Sequence, residues 1–513
     1  MLLELAILYA NSRKDKKGTV LLIMAGHSLK YKTVKGVGWS AADAFLGHGV
    51  TVLVGIILAR LLSPEEFGLI GIVTIFTTVM HGIMDSGFSS ALIRKTNVSD
   101  EDYNTLFYFN LAVSIVLFLL LFVAAPWIAS FFERPQLLSL VRVVGLILIF
   151  QSLCIVQETI LKRRIDFKTK TKASFISAIF SGVLGIVMAF TGFGVWSLAG
   201  QMLSRQLFYS VCLWIFNRWR PTLKSSKESL RYMWGFGWKL LLSGMLNNLW
   251  AELKKVVVSK FYSPAMLGQY SKAGEFAKIF STNFTSIIQR VTYPALSKVK
   301  DDKERMVSAY RRVIKTTMFV TVTCMFFLGA VAEPLFYCLI GPKWHMAATF
   351  LPLICIARSI YPLQAINLNM LKVQGRTDVF LYLEIAKKTI LLIPLFIGAF
   401  IGIYWMLIAS IGTSAVAFFL NSYYSGKDLD YSSWMQLKDV APSFGVATTL
   451  ALSIFFLKYL PLSNWIILPI QIVIGAAVFY LVCETIKIPE YLEVKGIVKD
   501  TFGKIIKDRK KTN

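Results

Sequence analysis

Charged side chains are scarce in this chain: they make up 16% of its 513 residues, against roughly 25% in soluble globular proteins. Hydrophobic residues make up 56% of the chain, and 38 of them are phenylalanine. One water-soluble core cannot bury this much apolar surface in a chain of this length. The scarcity of charge therefore excludes an ordinary soluble protein and predicts an integral membrane protein.

The sequence also lacks the motifs of common enzyme classes. It contains no Walker loop, no H-E-x-x-H zinc motif and no Q-x-x-R-W motif. Two D-x-D triplets, at 100–102 and 428–430, lie in short loops rather than in a soluble catalytic domain. The six cysteines form no C-x-x-C pair and lie mostly in apolar runs, which is typical of buried small side chains. We therefore predict no enzymatic activity, no cofactor and no metal.

Acidic residues are few relative to basic ones, 29 against 55, so the net charge is +26. In a soluble chain such an excess would suggest a nucleic-acid partner. Here the basic residues lie mainly in short loops after the fourth, sixth and eighth apolar runs and in the tail. Basic loops of this kind mark the cytoplasmic side of a membrane protein. The charge therefore predicts membrane orientation and argues against a nucleic-acid partner.

Apolar runs of about 20 residues, long enough to span a membrane as a helix, recur along the chain. If there are fourteen spans, every strongly basic loop falls on the cytoplasmic side, together with both termini. The predicted spans lie near 38–59, 67–88, 106–130, 138–160, 174–192, 194–216, 236–258, 266–289, 313–338, 346–370, 379–399, 402–423, 443–460 and 463–484.

These spans define the expected domain organisation of an all-α integral membrane protein. A basic cytoplasmic segment at 1–37 precedes six spans at 38–217, the N-lobe. A cytoplasmic linker at 218–235 leads to six further spans at 236–424, the C-lobe. The remaining parts are two C-terminal spans at 425–485 and a basic tail at 486–513.

The sequence also makes one prediction about the start of the chain and one about its C-terminal tail. The apolar stretch at 2–10 is too short to span a membrane, and we expect translation to start at Met24. In the tail, apolar residues recur at helical spacing between lysines, which predicts an amphipathic helix on the anionic inner leaflet. A frayed, solvated tail is the alternative. The apolar residues of the tail are Tyr491, Val494, Val498, Phe502 and Ile505.

A composite motif occurs twice, about 200 residues apart. G-x-G-W at 36–39 and at 235–238 opens a span, and a basic residue followed by x-x-S-P-x-x-x-G ends it, at 60–68 and at 260–268. Six predicted spans separate the copies, so both copies enter the membrane in the same sense. The repeat predicts two parallel six-helix repeats, an architecture typical of transporters whose substrate site lies between the repeats.

Ionisable side chains inside a span cost about 2.5–3.5 kcal/mol on insertion scales unless they face a bundle interior or a wet cavity. In the seventh span, Asn248, Glu252 and Lys255 share one helix face. Polar stripes recur in spans one, two, seven and eight, which are corresponding members of the two repeats. Together with intramembrane arginines, they give the predicted substrate-binding residues Asn248, Glu252, Lys255, Lys272, Glu275, Arg205 and Arg358.

Other interpretations of these side chains remain open. Glu252 with Lys255, and Lys272 with Glu275, are i, i+3 pairs whose members would neutralise each other. Lys254 lies near a predicted span end, where a snorkelling side chain is expected.

Three further polar residues suggest ion coupling. Asp43 lies in the first span, and His81 and Asp85 lie one turn apart in the second span, which is suited to proton relay. A structural hydrogen bond is the alternative for the His81 and Asp85 pair.

Four segments resemble one known family: ILARLLSPEEFG at 57–68, DSGF at 85–88, LGQYSKA at 267–273 and YPALSK at 293–298. They resemble Wzx-type polysaccharide exporters, most of all the colanic-acid and teichuronic-acid branch of the multidrug/oligosaccharidyl-lipid/polysaccharide superfamily. The resemblance implies a V-shaped two-lobe transporter that works by alternating access.

The resemblance also implies a function. Such proteins flip undecaprenyl-pyrophosphate-linked oligosaccharides across the bacterial cytoplasmic (inner) membrane for capsule, O-antigen or exopolysaccharide synthesis. Lys255, Lys272 and Arg358 would then meet the pyrophosphate or acidic sugars. Anionic membrane lipids and a polysaccharide polymerase or assembly complex are the other partners considered.

Three alternatives stand beside this interpretation. A drug or cation antiporter of the same superfamily needs carboxylates in the N-lobe, for which Asp43 and Asp85 are candidates. A membrane-bound polymerase needs a long external loop, and the sequence has none. A non-transporting scaffold would leave the paired polar stripes without a purpose.

Overall fold

The computed structural model describes residues 48–84, 87–283, 302–493 and 495–496, with 285, 288–289, 292, 296–297 and 299. Within this part of the chain every regular element is helical. Several expectations lie outside the described residues: those for Met24, Asp43 and Asp85, for the first G-x-G-W copy and for most of the tail.

The described chain divides into two compact units. Unit 1 holds the residues up to Leu62 and Val73–Leu249, and unit 2 holds Ser63–Ile72 and the residues from Trp250 onwards. Two helices, α2 (Pro64–Met84) and α9 (Lys227–Phe261), contribute to both units. The first nine helices are α1 (His48–Leu61), α2 (Pro64–Met84), α3 (Phe88–Arg94), α4 (Asp100–Phe131), α5 (Gln136–Val144), α6 (Ile147–Arg163), α7 (Phe167–Phe190), α8 (Val195–Phe216) and α9 (Lys227–Phe261).

The second half of the chain continues in the same manner, with short irregular turns between its helices. A π-helical turn, Ile279–Asn283, extends α10 directly. The remaining helices are α10 (Pro264–Lys278), α11 (Lys303–Ala330), α12 (Ala332–Ile340), α13 (His345–Ser359), α14 (Tyr361–Val373), α15 (Thr377–Phe400), α16 (Ile403–Gly426), α17 (Ser433–Phe455) and α18 (Asn464–Ile486).

Helix α7 shows how the helices meet their surroundings. Its outward face is apolar: Phe180 is 58% exposed and Phe190 71% exposed. Its inward face consists of small residues, and a Cβ added to Gly185 would lie 2.7 Å from the Cβ of Gln201 on α8. Small residues between helices and apolar residues outside are the arrangement expected in lipid.

Nine of the helical segments in the described residues are long and apolar enough to cross a membrane. Their number and the apolar outward faces identify a multi-pass membrane protein. Each of the fourteen predicted spans overlaps a helix at least in part among the described residues.

The helices differ from the predicted spans chiefly in length and continuity. The fourth span is two helices, α5 and α6, the ninth is α11 followed by α12, and the tenth is α13 followed by α14. Helix α11 begins at Lys303, ten residues before the apolar run, because Asp302 caps it by accepting from the backbone N–H of Arg305. Polar residues thus extend helices beyond the apolar core, which hydrophobicity cannot predict.

The duplicated S-P-x-x-x-G motif forms a single reciprocal crossing in unit 2. A Cβ on Gly68 would lie 1.7 Å from the carbonyl oxygen of Pro264, and a Cβ on Gly268 would lie 2.0 Å from that of Pro64. At each glycine, the absence of a side chain leaves room for the backbone of the proline in the other copy. Ser63 accepts from the backbone N–H of Glu66 at 3.3 Å and so caps the start of α2. This close approach explains why glycine occurs at both positions, because a larger residue would overlap the proline backbone.

Candidate functional site

Unit 2 contains a cavity of about 360 Å³ between α9, α10, α13, α14, α15 and α16. We call it the basic cavity, because its charged lining consists of four cations and one carboxylate. These side chains are Lys254, Lys255, Lys278, Arg358 and Glu252.

Helix α9 supplies three of the five charged side chains. Glu252 and Lys255 lie three residues apart, so both project toward the same side of the helix. The Nζ of Lys255 lies 2.6 Å from a carboxylate oxygen of Glu252, and Glu252 is 8% exposed. This pair neutralises itself, so its charges largely cancel toward a ligand.

The other three cations of the basic cavity lack such a partner. Within the described part of the chain, Lys254, Lys278 and Arg358 have no carboxylate oxygen within 4.0 Å. The Nζ of Lys254 donates to the Ser410 hydroxyl at 2.9 Å, and Arg358 donates to the Thr282 hydroxyl at 3.4 Å. Neutral oxygens hold these side chains without cancelling their charge.

The same cations lie close enough to interact with one another. The charge of Arg358 repels that of Lys254 and that of Lys278. Like charges gathered inside an apolar bundle raise the free energy of the empty site. An anionic ligand would relieve that repulsion, and guanidinium and ammonium groups suit phosphate oxygens in particular.

Aromatic side chains complete the wall of the basic cavity. Trp250, Tyr270 and Tyr361 all line it. Aromatic faces beside a few charged groups are typical of sites that bind an extended polar ligand with apolar faces, such as a sugar.

Lys272 and Glu275, two of the predicted site residues, form an ion pair at 2.9 Å outside the lining of the basic cavity. Lys272 is 6% exposed, and its Nζ lies 4.6 Å from the centroid of the Phe67 ring. The i, i+3 alternative therefore describes the geometry of this pair, and Lys272 is held by Glu275 and Phe67.

The remaining predicted residues lie in unit 1 and do not line the basic cavity. Asn248 donates to the carbonyl of Thr78 at 3.3 Å, and Arg205 donates to the hydroxyl of Thr51 at 2.9 Å. His81 is half-buried on α2.

Arg142, on α5 of unit 1, also lies away from the basic cavity. Its guanidinium carbon lies 4.3 Å from the centroid of the Phe122 ring. This is a cation–π contact.

Two cations of the basic cavity are absent from the predicted set. Lys254, for which the sequence favours snorkelling, lies about two turns before the end of α9 at Phe261 and lines the basic cavity. Ser271, Gly274 and Lys278 are spaced three and then four residues apart, so they form a stripe of small and polar residues on one face of α10. That stripe is visible in the sequence, whereas the extent of α9 is not.

The described residues hold no group of three or more His, Cys, Asp or Glu side chains placed to bind a metal ion.

Comparison with known proteins identifies the family. The family described as "Polysaccharide biosynthesis protein" matches residues 57–349, more than half of the chain. The succinoglycan biosynthesis transport protein ExoT of Rhizobium meliloti is 29% identical over 330 residues, covering 64% of this chain and 67% of the relative. The teichuronic acid biosynthesis protein TuaB of Bacillus subtilis is 24% identical over 361 residues, covering 69% and 74%.

Solved structures share the fold at low sequence identity. The lipid II flippase MurJ in an inward closed conformation has a TM-score of 0.72 at 15% identity, over 89% of this chain and 100% of that chain. An inward-facing multidrug transporter of the MATE family has a TM-score of 0.57 at 16% identity, over 78% and 99%. The resemblance predicted from the motifs is confirmed: the chain belongs to the polysaccharide biosynthesis protein family and shares the fold of MurJ and of the MATE transporter.

Proposed function

We propose that the protein is a flippase. It moves undecaprenyl-pyrophosphate-linked oligosaccharides across the bacterial cytoplasmic membrane for surface polysaccharide synthesis. The observation that carries the proposal is the basic cavity, where Lys254, Lys278 and Arg358 have no carboxylate partner among the described residues. Relatives named for succinoglycan transport and teichuronic acid biosynthesis support it, as does a fold shared with a lipid II flippase.

The cavity accounts for recognition of the lipid-linked end of such a substrate. A diphosphate carries several acceptor oxygens, and a hydrogen bond to a charged group contributes roughly 1.5–3 kcal/mol. Lys254 and Arg358 approach from different helices, α9 and α13, so one diphosphate would bridge them. The aromatic wall then offers faces to the adjoining sugar.

We further propose fourteen spans in two parallel six-helix repeats plus two C-terminal helices, with both termini in the cytoplasm. The helices at all fourteen predicted spans support this count. The basic loops support the orientation, and the reciprocal crossing of the two S-P-x-x-x-G copies supports the repeat. Movement between two such repeats would expose the site to each side of the membrane in turn.

A drug or cation antiporter shares the fold but fits the cavity less well. Such a substrate is positively charged, and the lining carries four cations against the single carboxylate of Glu252, which Lys255 already neutralises. The charge of the basic cavity therefore favours an anionic substrate.

The proposal is tested by complementing a deletion of this gene in its host. The deletion is expected to accumulate lipid-linked oligosaccharide on the cytoplasmic face and to lose surface polysaccharide. Wild type should restore the polysaccharide, whereas Lys254→Gln with Arg358→Gln should not.

The matched control is Lys303→Gln with Asp430→Asn, which removes an ion pair of unit 2 outside the basic cavity and leaves the net charge unchanged; it should restore most of the polysaccharide. Unchanged polysaccharide in the deletion strain, together with raised sensitivity to cationic drugs, would replace the flippase proposal with the antiporter.

A further inference from the structure

Unit 1 contains a second cavity, of about 720 Å³, where the start of α4, the end of α6 and the segment 217–224 meet. We call it the rim cavity. Its lining includes four basic and two acidic side chains, namely Arg164, Arg218, Arg220, Lys224, Asp100 and Glu101. It shares no lining residue with the basic cavity.

The wall of the rim cavity is held firmly by a buried side chain. Asn104 is 1% exposed, and its Nδ2 donates to the Thr222 hydroxyl at 2.7 Å and to the carbonyl of Lys224 at 3.0 Å. Its Oδ1 accepts from the backbone N–H of Thr222 at 3.1 Å. The segment after α8 is therefore docked on α4 rather than free in solvent.

One of the basic residues of the rim cavity, Arg220, uses its guanidinium group to bind backbone carbonyls. Arg220 donates to the carbonyls of Asn217 at 2.7 Å, Trp219 at 2.8 Å and Trp214 at 2.6 Å. The other three basic residues, Arg164, Arg218 and Lys224, have no carboxylate oxygen within 4.0 Å in the described part of the chain. Their charge remains available to a ligand.

Two buried donors in the same lining also lack acceptors. Asn217 is 3% exposed, and neither its Nδ2 nor the indole N–H of Trp219 has an acceptor among the described residues. Buried donors without acceptors are uncommon in folded proteins and call for an explanation. Both donor atoms are shielded by the protein, so the groups that an anion in the cavity would meet are the cations with no carboxylate partner among the described residues.

A third cavity, in unit 2, gives the contrast. It is about 760 Å³ and lined by the start of α11 and residues near 490. All four of its cations are paired within 4 Å with carboxylates of the same unit: Lys303 with Asp430, Arg311 with Asp439, Arg312 with Glu493 and Lys315 with Glu490. That cavity is an internally neutralised salt-bridge network, which the rim cavity is not.

The position of the rim cavity indicates which anion it meets. Ile215 is 68% exposed and Phe216 41% exposed, so the apolar outer face of α8 runs up to Asn217 at the cavity wall. Trp219 follows at once, and tryptophan is enriched at the boundary between lipid and water. The basic loops after the fourth and sixth spans belong to the predicted cytoplasmic side.

We propose that the rim cavity binds the phosphate of an anionic phospholipid headgroup in the cytoplasmic leaflet. Arg164, Arg218 and Lys224 contact the phosphate oxygens, and the acyl chains lie along the outer face of α8. The site does not depend on the proposed transport function. A soluble phosphate has the same chemistry, and the experiment separates the two sources.

The experiment titrates the purified full-length protein in detergent with short-chain phosphatidylglycerol and counts bound lipid by native mass spectrometry. Each cation near a lipid surface contributes about fivefold to affinity, so Arg164→Gln with Arg218→Gln should weaken binding about 30-fold. The matched control, Arg312→Gln with Lys315→Gln, alters paired cations of the third cavity and should leave binding unchanged.

A gain-of-binding variant excludes misfolding as the cause. Asp100→Asn with Glu101→Gln removes the two acids from the rim and should tighten phosphatidylglycerol binding. Wild-type affinity in the double arginine variant would overturn the proposal. So would equal binding of phosphatidylcholine, or competition by inorganic phosphate at the same concentration as the lipid, which would identify a soluble anion instead.

Discussion

The reciprocal crossing of the two S-P-x-x-x-G copies makes a specific prediction about stability. Replacing Gly68 with alanine places a Cβ 1.7 Å from the carbonyl oxygen of Pro264 and 2.9 Å from its Cα. These are backbone atoms of a capped helix start, so no side-chain rotation relieves the overlap. The two helices must separate by more than about 1 Å, and overpacking of this kind costs about 3 kcal/mol.

Thermal unfolding of the purified protein, followed by tryptophan fluorescence, measures this cost. A melting temperature falls by about 2–4 °C per kcal/mol in a domain of some 200 residues, so Gly68→Ala should lower it by roughly 6–12 °C. Gly445→Ala is the control, because a Cβ there meets nothing within 4 Å. That substitution should leave the melting temperature unchanged or raise it slightly, since alanine is the better helix former.

The reciprocal geometry adds a second requirement. Gly268→Ala should cause a similar fall, because its Cβ would lie 2.0 Å from the carbonyl oxygen of Pro64. The two falls should not add in the double variant, since one separation of the helices accommodates both methyl groups. A melting temperature of Gly68→Ala within 2 °C of wild type, or full additivity in the double variant, would refute the crossing.

Two further substitutions test the interiors of the two units by the same melting assay. Tyr310→Phe should lower the free energy of unfolding by about 1–3 kcal/mol, because the buried hydroxyl contacts Asn367 and lies 3.2 Å from the Ser425 hydroxyl. An unchanged melting temperature would show that these contacts do not stabilise unit 2. Asp102→Ala should cost about 1–2 kcal/mol, since it removes the helix cap shared with Ser99 and an ion pair to Lys95 at 2.8 Å. Asp102→Asn, which can still accept at the cap, should cost less, and equal losses would contradict the capping role.

The membrane class, the helical fold and the family were predictable from the sequence. Apolar runs of the required length predict the fold class, because in lipid the backbone must satisfy its own hydrogen bonds and a helix does so within one segment. The S-P-x-x-x-G copies and the LGQYSKA segment indicate the family, since several short motifs occur together at fixed positions.

The site could be predicted only in part. Glu252, Lys255 and Arg358 do line one cavity, because helical phase places them on inward faces. Phase alone could not show that Lys272 is covered by Phe67 of α2, which lies more than two hundred residues earlier in the chain. Nor could it show that Lys254 finds Ser410 on α16, since that contact depends on how helices pack.

Under the proposed function, the basic cavity binds a diphosphate through Lys254, Lys278 and Arg358, which have no carboxylate partner in the part of the chain that the structure describes. The most direct test measures the affinity of the purified protein for a short-chain polyprenyl-diphosphate saccharide and for a lipophilic cation. Wild type should bind the diphosphate and not the cation. Lys254→Gln with Arg358→Gln should weaken diphosphate binding by at least about 100-fold, since two hydrogen bonds to charged groups are lost. Unchanged affinity in that variant, or preference of the wild type for the cation, would contradict the claim.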